Sequence, residues 1–240
     1  MKVIILNAGI GKRLGHLTQN SPKCLVKVTN EKTILDVQLE NLIKCGLEKF
    51  IMLTGPFEDM IRRHIDLNYP SISVDYIQNP KYSQTNYIYS LYLTKNQIND
   101  EVLLMHGDLI FSDTILNQII ENDEKDCVLV NKEMPVPQKD FKARLVDDRI
   151  IKIGVNEFGE DCAFLAPLYK LSKPFYEEWF KEIEKYVKNG QVSCYAEDAL
   201  NDILDKLDLR ANYINDKKCM EIDDFEDLEL ARSYLEEELK

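Results

Sequence analysis

The opening stretch KVIILNAGIGKR constrains this chain more than any other. Val3, Ile4, Ile5 and Leu6 form an apolar run ended by Ala8-Gly9, the pattern of a buried strand feeding a glycine loop. A strand apolar on both faces needs cover on both faces, which points to a sheet of mostly parallel strands between helices. The rest of the N-terminal half agrees. Residues 34–46 have helical apolar spacing and a terminal Gly46. Strands are predicted at 49–55, 71–77, 101–108 and 126–131, with helices at 57–65, 87–98 and 114–122 between them.

Beyond residue 131 the alternation changes. Residues 143–155 read as two strands around Asp147-Asp148, and 161–171 as another strand. Helices are predicted at 174–187 and 196–207, one last strand across 212–224, and a closing helix over 224–240. No linker, repeat or low-complexity stretch interrupts the chain, so a single domain over 1–240 is expected.

Composition excludes several classes. The 240 residues carry 30 Lys and Arg against 42 Asp and Glu, a net charge of -12, which argues against a nucleic-acid binder. It leaves room for a small anion held in a local basic pocket. No apolar run approaches the ~20 residues that span a bilayer, and VIIL is too short for a signal-peptide core. Cys24, Cys45, Cys127, Cys162, Cys194 and Cys219 are scattered without metal-ligand spacing. Reduced thiols in a cytoplasmic protein are the expectation.

Three templates compete for the loop. A phosphate-binding P-loop needs G-x-x-x-x-G-K-[ST], but Gly9 has no glycine five residues on and Gly11-Lys12 is followed by Arg13. A dinucleotide loop needs G-x-G-x-x-G, and Gly9, Gly11 and Gly15 are spaced one residue too far. The third template fits. A strand, N-A-G-x-G-x-R, and then Pro22-Lys23 resembles the nucleotidyltransferase family that makes nucleotide-activated sugars and alcohols. Glycine lets backbone N–H groups close on a triphosphate, and Arg13 and Lys23 supply positive charge. The resemblance implies a Rossmann-like nucleotidyltransferase fold, with Leu6, Asn7, Ala8, Gly9, Gly11, Lys12, Arg13 and Lys23 around the nucleotide. Asn7 departs from the family's usual alanine.

Transfer from a nucleoside triphosphate calls for Mg²⁺, which takes one or two carboxylates. Where the family has D-x-D or D-G-D, this chain has His106-Gly107-Asp108. The resemblance implies Asp108 and, from EIDDFEDL near the end, Asp223 as metal ligands. Asp224 reads as a helix cap and His106 as a residue shaping the site. The family's G-T-A stretch is missing. In its place YIQNPKYSQTNYIYSLYL, residues 76–93, resembles bacterial choline-phosphate cytidylyltransferases and the related aminoethylphosphonate and phosphoglutamine enzymes.

That subgroup implies CTP and a small phosphorylated, nitrogen-bearing acceptor, and a place in supplying activated head groups for surface glycans or lipids. Asn86, with Gln78 as an outside candidate, is expected at the base or ribose, since an amide offers both donor and acceptor. Helix capping is the competing role for Asn86. Tyr195, Glu197 and Asp198 are candidates for the acceptor's cationic end; the two acids would also suit a plain helix N-terminus. Tyr89, Tyr92 and Trp179 read as packing residues. Two rival readings are a sugar-1-phosphate nucleotidyltransferase using UTP or dTTP and an inactive nucleotide-binding regulatory subunit.

Overall fold

The computed structural model describes residues 1–134, 138–215 and 219–238. The apolar runs become strands β1 (Lys2–Asn7), β2 (Lys49–Thr54), β3 (Ser73–Gln78), β4 (Val102–His106) and β6 (Cys127–Asn131), with the short β5 (Leu109–Phe111) after β4. Helices α1 (Ile34–Lys44), α2 (Glu58–Asn68), α3 (Tyr87–Tyr92) and α4 (Asp113–Ile120) fall between them. The second half adds β7 (Lys142–Val146), β8 (Arg149–Gly154), β9 (Cys162–Leu171), α5 (Lys173–Lys188), α6 (Ala196–Asn201), β10 (Arg210–Tyr213), β11 (Cys219–Glu221) and α7 (Phe225–Glu238).

One nine-stranded sheet has the order β3-β2-β1-β4-β9-β6-β10-β8-β7. β3, β2, β1 and β4 are mutually parallel; β9 runs antiparallel to β4 and β6, and β8 antiparallel to β10 and β7. Only β8 and β9 therefore oppose the common direction, so the sheet is mixed but mostly parallel in orientation. β1 leads leftward to β2 while β4 lies on its other side, which opens a crevice at the carboxyl ends of β1 and β4.

Side chains alternate into two cores. Ile4, Leu53 and Leu104 face the cluster under α3, α5 and α6; Val3, Met52 and Met105 face the cluster under α1, α2 and α4. A third cluster joins Leu14 of the opening loop, Val26 and Val28, Ile110 of β5, Met220 and Ile222, and Leu228 and Ala231 of α7. Burying a side chain such as Leu14 or Ile222 contributes about 1.5–3 kcal/mol, so this cluster clamps both chain ends together. Among the described residues no helix is long and apolar enough to cross a membrane.

Three expectations need correction. The single strand across 212–224 is two: β10 enters the large sheet beside β6, while β11 pairs with β5 in a separate two-stranded ribbon. Residues 216–218 between them lie outside the described residues, as do 239–240 of the closing helix. The helix at 87–98 stops at Tyr92. Thr94 Oγ1 bonds the Leu91 carbonyl and the Tyr176 hydroxyl, and Asn96 takes the left-handed conformation (φ 64°), which ends helical backbone. The helix at 196–207 stops at Asn201 because one Arg149 amino group takes the carbonyls of Leu204, Asp205 and Leu207. The Asp147-Asp148 hairpin turn forms as predicted, with Asp147 at φ 53°.

Helix α1 begins with a reciprocal cap: the Asp36 amide donates to Thr33 Oγ1 and the Asp36 carboxylate accepts from the Thr33 amide. The same carboxylate contacts His64 Nε2 at 2.6 Å and accepts from the Tyr69 hydroxyl at 2.8 Å, tying α2 to α1. Burial pushes the Asp36 carboxyl up, but the contact with His64 and the bonds from Thr33 and Tyr69 outweigh it and hold it well below the usual range. A depressed folded-state value contributes stability that is complete above the unfolded value near 3.9 and is lost as pH falls through the folded one. Asp36→Asn is therefore expected to lower unfolding stability by about 2–3 kcal/mol at pH 7. The gap between mutant and parent should narrow below about pH 4 in urea titrations at stepped pH.

Candidate active site

The glycine loop turns sharply because Gly11 adopts φ 64°, a conformation side chains rarely take. Its carbonyl accepts from the Leu14 amide at 3.0 Å and from Thr18 Oγ1 at 2.8 Å, which fixes the turn from Lys12 to Leu17. A Cβ at Gly11 would come within 3.0 Å of Lys23 Cβ, so the loop lies directly on the Pro22-Lys23 segment. Pro22, at φ -67°, starts a short 3₁₀ turn over Lys23–Leu25 that aims Lys23 inward.

Asp108 follows β4 at the crevice. Its carbonyl accepts from the Ile222 amide at 3.0 Å, and the β5–β11 ribbon pairs Leu109 with Glu221. This pairing brings Asp223 to the site across 115 residues of sequence. Asp223 is held from the other side by α7, its amide donating to Asp227 Oδ2 at 2.9 Å. Asp224 caps α7 as expected, accepting from the amides of Glu226 and Asp227.

The two acids converge on one ammonium. Lys23 Nζ lies 2.5 Å from Asp108 Oδ2 and 2.8 Å from Asp223 Oδ1, and Arg13 Nη2 lies 2.7 Å from Asp223 Oδ2. Burial alone would push the Lys23 ammonium down, but the two carboxylates raise it above its ordinary value. Burial pushes Asp108 up, yet the adjoining Lys23 and His106 hold it below the ordinary range. Lys23 therefore carries a fixed positive charge rather than serving as a base. Asp108 Oδ1 is buried and has no hydrogen-bond partner among the described residues. An unpaired buried carboxylate oxygen beside a second carboxylate fits a hard divalent cation, whose ligands are oxygens.

The acids and the loop border a pocket of about 380 Å³. Of the residues singled out from sequence, Leu6, Ala8, Gly9, Arg13, Asn86, Asp108, Tyr195 and Asp223 line it. Other candidates stand elsewhere. The Asn7 side chain points inward, donating to Met52 Sδ at 2.8 Å and packing where a Cβ on Gly107 would collide with it. Its departure from alanine thus concerns β1–β4 packing rather than the pocket. Lys23 lies beneath the pocket, Gly11 behind the loop, and Lys12 is exposed outside it. Gln78 is turned to the Gly55 carbonyl. Asn86 is both pocket wall and helix cap, its Oδ1 accepting from the Tyr87 amide.

Of the three acceptor candidates only Tyr195 lines this pocket. Glu197 is buried behind it, accepting from the hydroxyls of Tyr87 and Tyr169. Asp198 caps its own helix at the Tyr195 amide and borders a neighbouring cavity. Sequence reasoning assigned no role to Glu221, Asp140, Phe141 or Tyr87, all of which line the pocket. Glu221 sits two residues before Asp223 in the quoted motif, so strand alternation would have placed both on one face. Tyr87, Tyr195 and Phe141 form an aromatic corner, with ring centroids 5.8 Å apart for Tyr87–Tyr195 and 5.0 Å for Phe141–Tyr195. Glu221 contacts His106 Nδ1 at 3.2 Å; burial raises its carboxyl to about 7, and the partnership raises the imidazole to about 8 against its own burial.

A model described as nucleotidyl transferase matches residues 2–139, more than half the chain. The chain belongs to the nucleotidyl transferase family. Two curated relatives match almost end to end. The choline-phosphate cytidylyltransferase of Streptococcus pneumoniae is 26% identical over 99% of this chain and 100% of its own length. The CTP:phosphoglutamine cytidylyltransferase of Campylobacter jejuni is 25% identical over 96% and 98%. The solved structure of the Streptococcus pneumoniae CTP:phosphocholine cytidylyltransferase superposes with a TM-score of 0.78 at 26% identity, covering 98% of each chain. The fold of this nucleotidyl transferase is therefore that of the solved cytidylyltransferase.

Tyr87 and Glu197 give a direct test of how the pocket wall is supported. Removing one of the two hydroxyls leaves the buried Glu197 carboxylate short of a donor, which costs about 1–3 kcal/mol. Tyr87→Phe is expected to lower the denaturation midpoint accordingly, whereas Tyr195→Phe, at a half-exposed ring, should move it by less than about 0.5 kcal/mol.

Proposed function

We propose that this chain is a Mg²⁺-dependent cytidylyltransferase that moves CMP from CTP to the phosphate or phosphonate of a small nitrogen-bearing acceptor, releasing pyrophosphate. The observation that carries this reading is the meeting of Arg13, Asp108 and Asp223 in the wall of one pocket beside the glycine loop, with Lys23 bridging the two acids from beneath. The end-to-end likeness to two cytidylyltransferases supports the choice of nucleotide.

An acceptor phosphate oxygen attacks the α-phosphorus of CTP, forming a new P–O bond. The bond from the α-phosphorus to the bridging oxygen breaks, and its electron pair leaves with pyrophosphate. A phosphate monoester is already largely dianionic near neutral pH, with a second pKa of about 6, so no protein base is needed. Asp108 and Asp223 would hold Mg²⁺, which would supply charge neutralisation to phosphate oxygens when bound. Lys23 and Arg13 steady the phosphates, Lys23 as a point charge and Arg13 as a fork. Leu6, Ala8, Gly9 and Asn86 line the side of the pocket where the nucleoside would lie. The rings of Tyr87, Tyr195 and Phe141, with Glu221 and Asp140 near them, suit the acceptor's cationic nitrogen. Tyr195 thus keeps its acceptor role directly, whereas Glu197 would act by fixing Tyr87.

Pyrophosphate release measured with CTP, UTP, ATP and dTTP against phosphocholine, aminoethylphosphonate, phosphoglutamine and glucose 1-phosphate tests the reading. Release with CTP and a nitrogen-bearing acceptor is expected. Release only with UTP or dTTP and the sugar phosphate, or with no pair at all, overturns it. Lys23→Ala and Asp108→Ala are each expected to lower kcat/KM by about 10²–10³-fold, or roughly 3–4 kcal/mol of barrier, while near-parental turnover removes the assigned role.

A further inference from the structure

His106, Asp108 and Glu221 come from two strand ends, and none of the three belongs to the apolar clusters. One donor atom from each lies within 4.8 Å of the other two. The side chains of Glu221, His106 and Asp108 are 9%, 13% and 21% exposed, so the group is partly buried with Asp108 its most open member. Neighbouring ligands of an octahedral ion bound at about 2.1 Å sit about 3 Å apart. The His106 Nδ1 to Glu221 Oε1 separation, 3.2 Å, matches that spacing. Asp108 divides its oxygens: Oδ2 is taken by Lys23, while the buried Oδ1 has no partner among the described residues. The imidazole stands where the family pattern has a carboxylate, and imidazole is a poor ligand for Mg²⁺ but a good one for softer divalent ions.

The geometry points to a mixed nitrogen–oxygen cation site formed by His106, Asp108 and Glu221, sharing Asp108 with the Lys23–Asp223 cluster and favouring Mn²⁺ over Mg²⁺. This deepens the metal half of the proposed function and rests on a divalent ion serving this pocket. It is independent of which nucleotide or acceptor is used. The site needs only that His106 and Glu221 exchange their mutual contact for a shared ion. The imidazole then supplies one ligand, Glu221 and Asp108 two oxygens, and water the remainder.

The test uses the full chain without nucleotide or acceptor, so it can fail or succeed apart from the cytidylyltransferase assay. Bound Mn²⁺ is followed by electron paramagnetic resonance, with Mg²⁺ as competitor, and pulsed measurements read nitrogen coupling to the ion. The parent is expected to bind Mn²⁺ with coupling to one imidazole nitrogen. His106→Asp should abolish that coupling and lower the Mn²⁺ to Mg²⁺ affinity ratio at least about tenfold. Glu221→Gln should keep the nitrogen coupling and weaken Mn²⁺ binding by about 10–100-fold. Bound Mn²⁺ without nitrogen coupling, an unchanged affinity ratio in His106→Asp, or no Mn²⁺ binding by the parent overturns the inference. The parent's coupling decides the matter even if both variants fail to fold.

Discussion

The Lys23 ammonium, set between Asp108 and Asp223, is the interaction on which the site depends. It joins the 3₁₀ turn after Pro22, the end of β4 and the approach to α7 at a single atom. Such an ion pair does not assemble itself. Removing charges from water costs several kcal/mol per ion, which their mutual attraction only offsets when the geometry is held by something else. Here the holders are apolar and backbone. The cluster around Leu14, Ile110, Ile222 and Leu228 packs the loop against the ribbon, and the bond from the Ile222 amide to the Asp108 carbonyl sets the register. The charged groups are therefore held close by apolar packing and a backbone bond rather than by their own attraction.

The two-stranded ribbon also explains why one half of the site was legible in sequence and the other was not. Everything positioned by local pattern could be read: the β1 strand, the glycine turn, Pro22-Lys23 and the end of β4 at the crevice. Asp223 could be placed only through a resemblance, because its approach to Asp108 is a long-range pairing of two three-residue strands. A three-residue strand has no usable periodicity. The same limit hid the division of residues 212–224 between two sheets, since the pattern there is apolar enough for either. Glu197 illustrates a different failure. An acid in the first turn of a helix looks solvent-facing, yet Tyr87 and Tyr169 draw this one into the core. Nothing local to residues 195–202 announces two hydroxyls from elsewhere in the chain.

The shortened helices carry a related lesson. Residues 93–98 and 202–207 have acceptable helical composition, and propensity favoured continuing them. Tertiary hydrogen bonds overrode it in both cases, through Thr94 with Tyr176 and through Arg149 with three carbonyls. Tyr87 is the first residue of α3 and faces His106 with ring centroids 5.0 Å apart. Tyr195, the residue before α6, lines the pocket edge-on to Phe141. The aromatic corner is thus built where the starts of two helices converge, whatever their length.

Charge balance then says what the pocket lacks. Asp108, Asp140, Glu221 and Asp223 line it, against Arg13 and Lys139 with Lys23 beneath. Each of those bases already has a carboxylate partner: Arg13 has Asp223, Lys23 has Asp108 and Asp223, and Lys139 has Asp224 and Asp227. A triphosphate entering this pocket would bring several negative charges to bases that are already neutralised. Within a chain of net charge -12, distant residues offer no compensation, because fields from exposed charges fade over about 10 Å at moderate salt. The basic loop is thus insufficient by itself for a polyphosphate. The acids beside it make sense as the means of bringing in further positive charge, and their unpaired oxygen, Asp108 Oδ1, is where the shortage is sharpest.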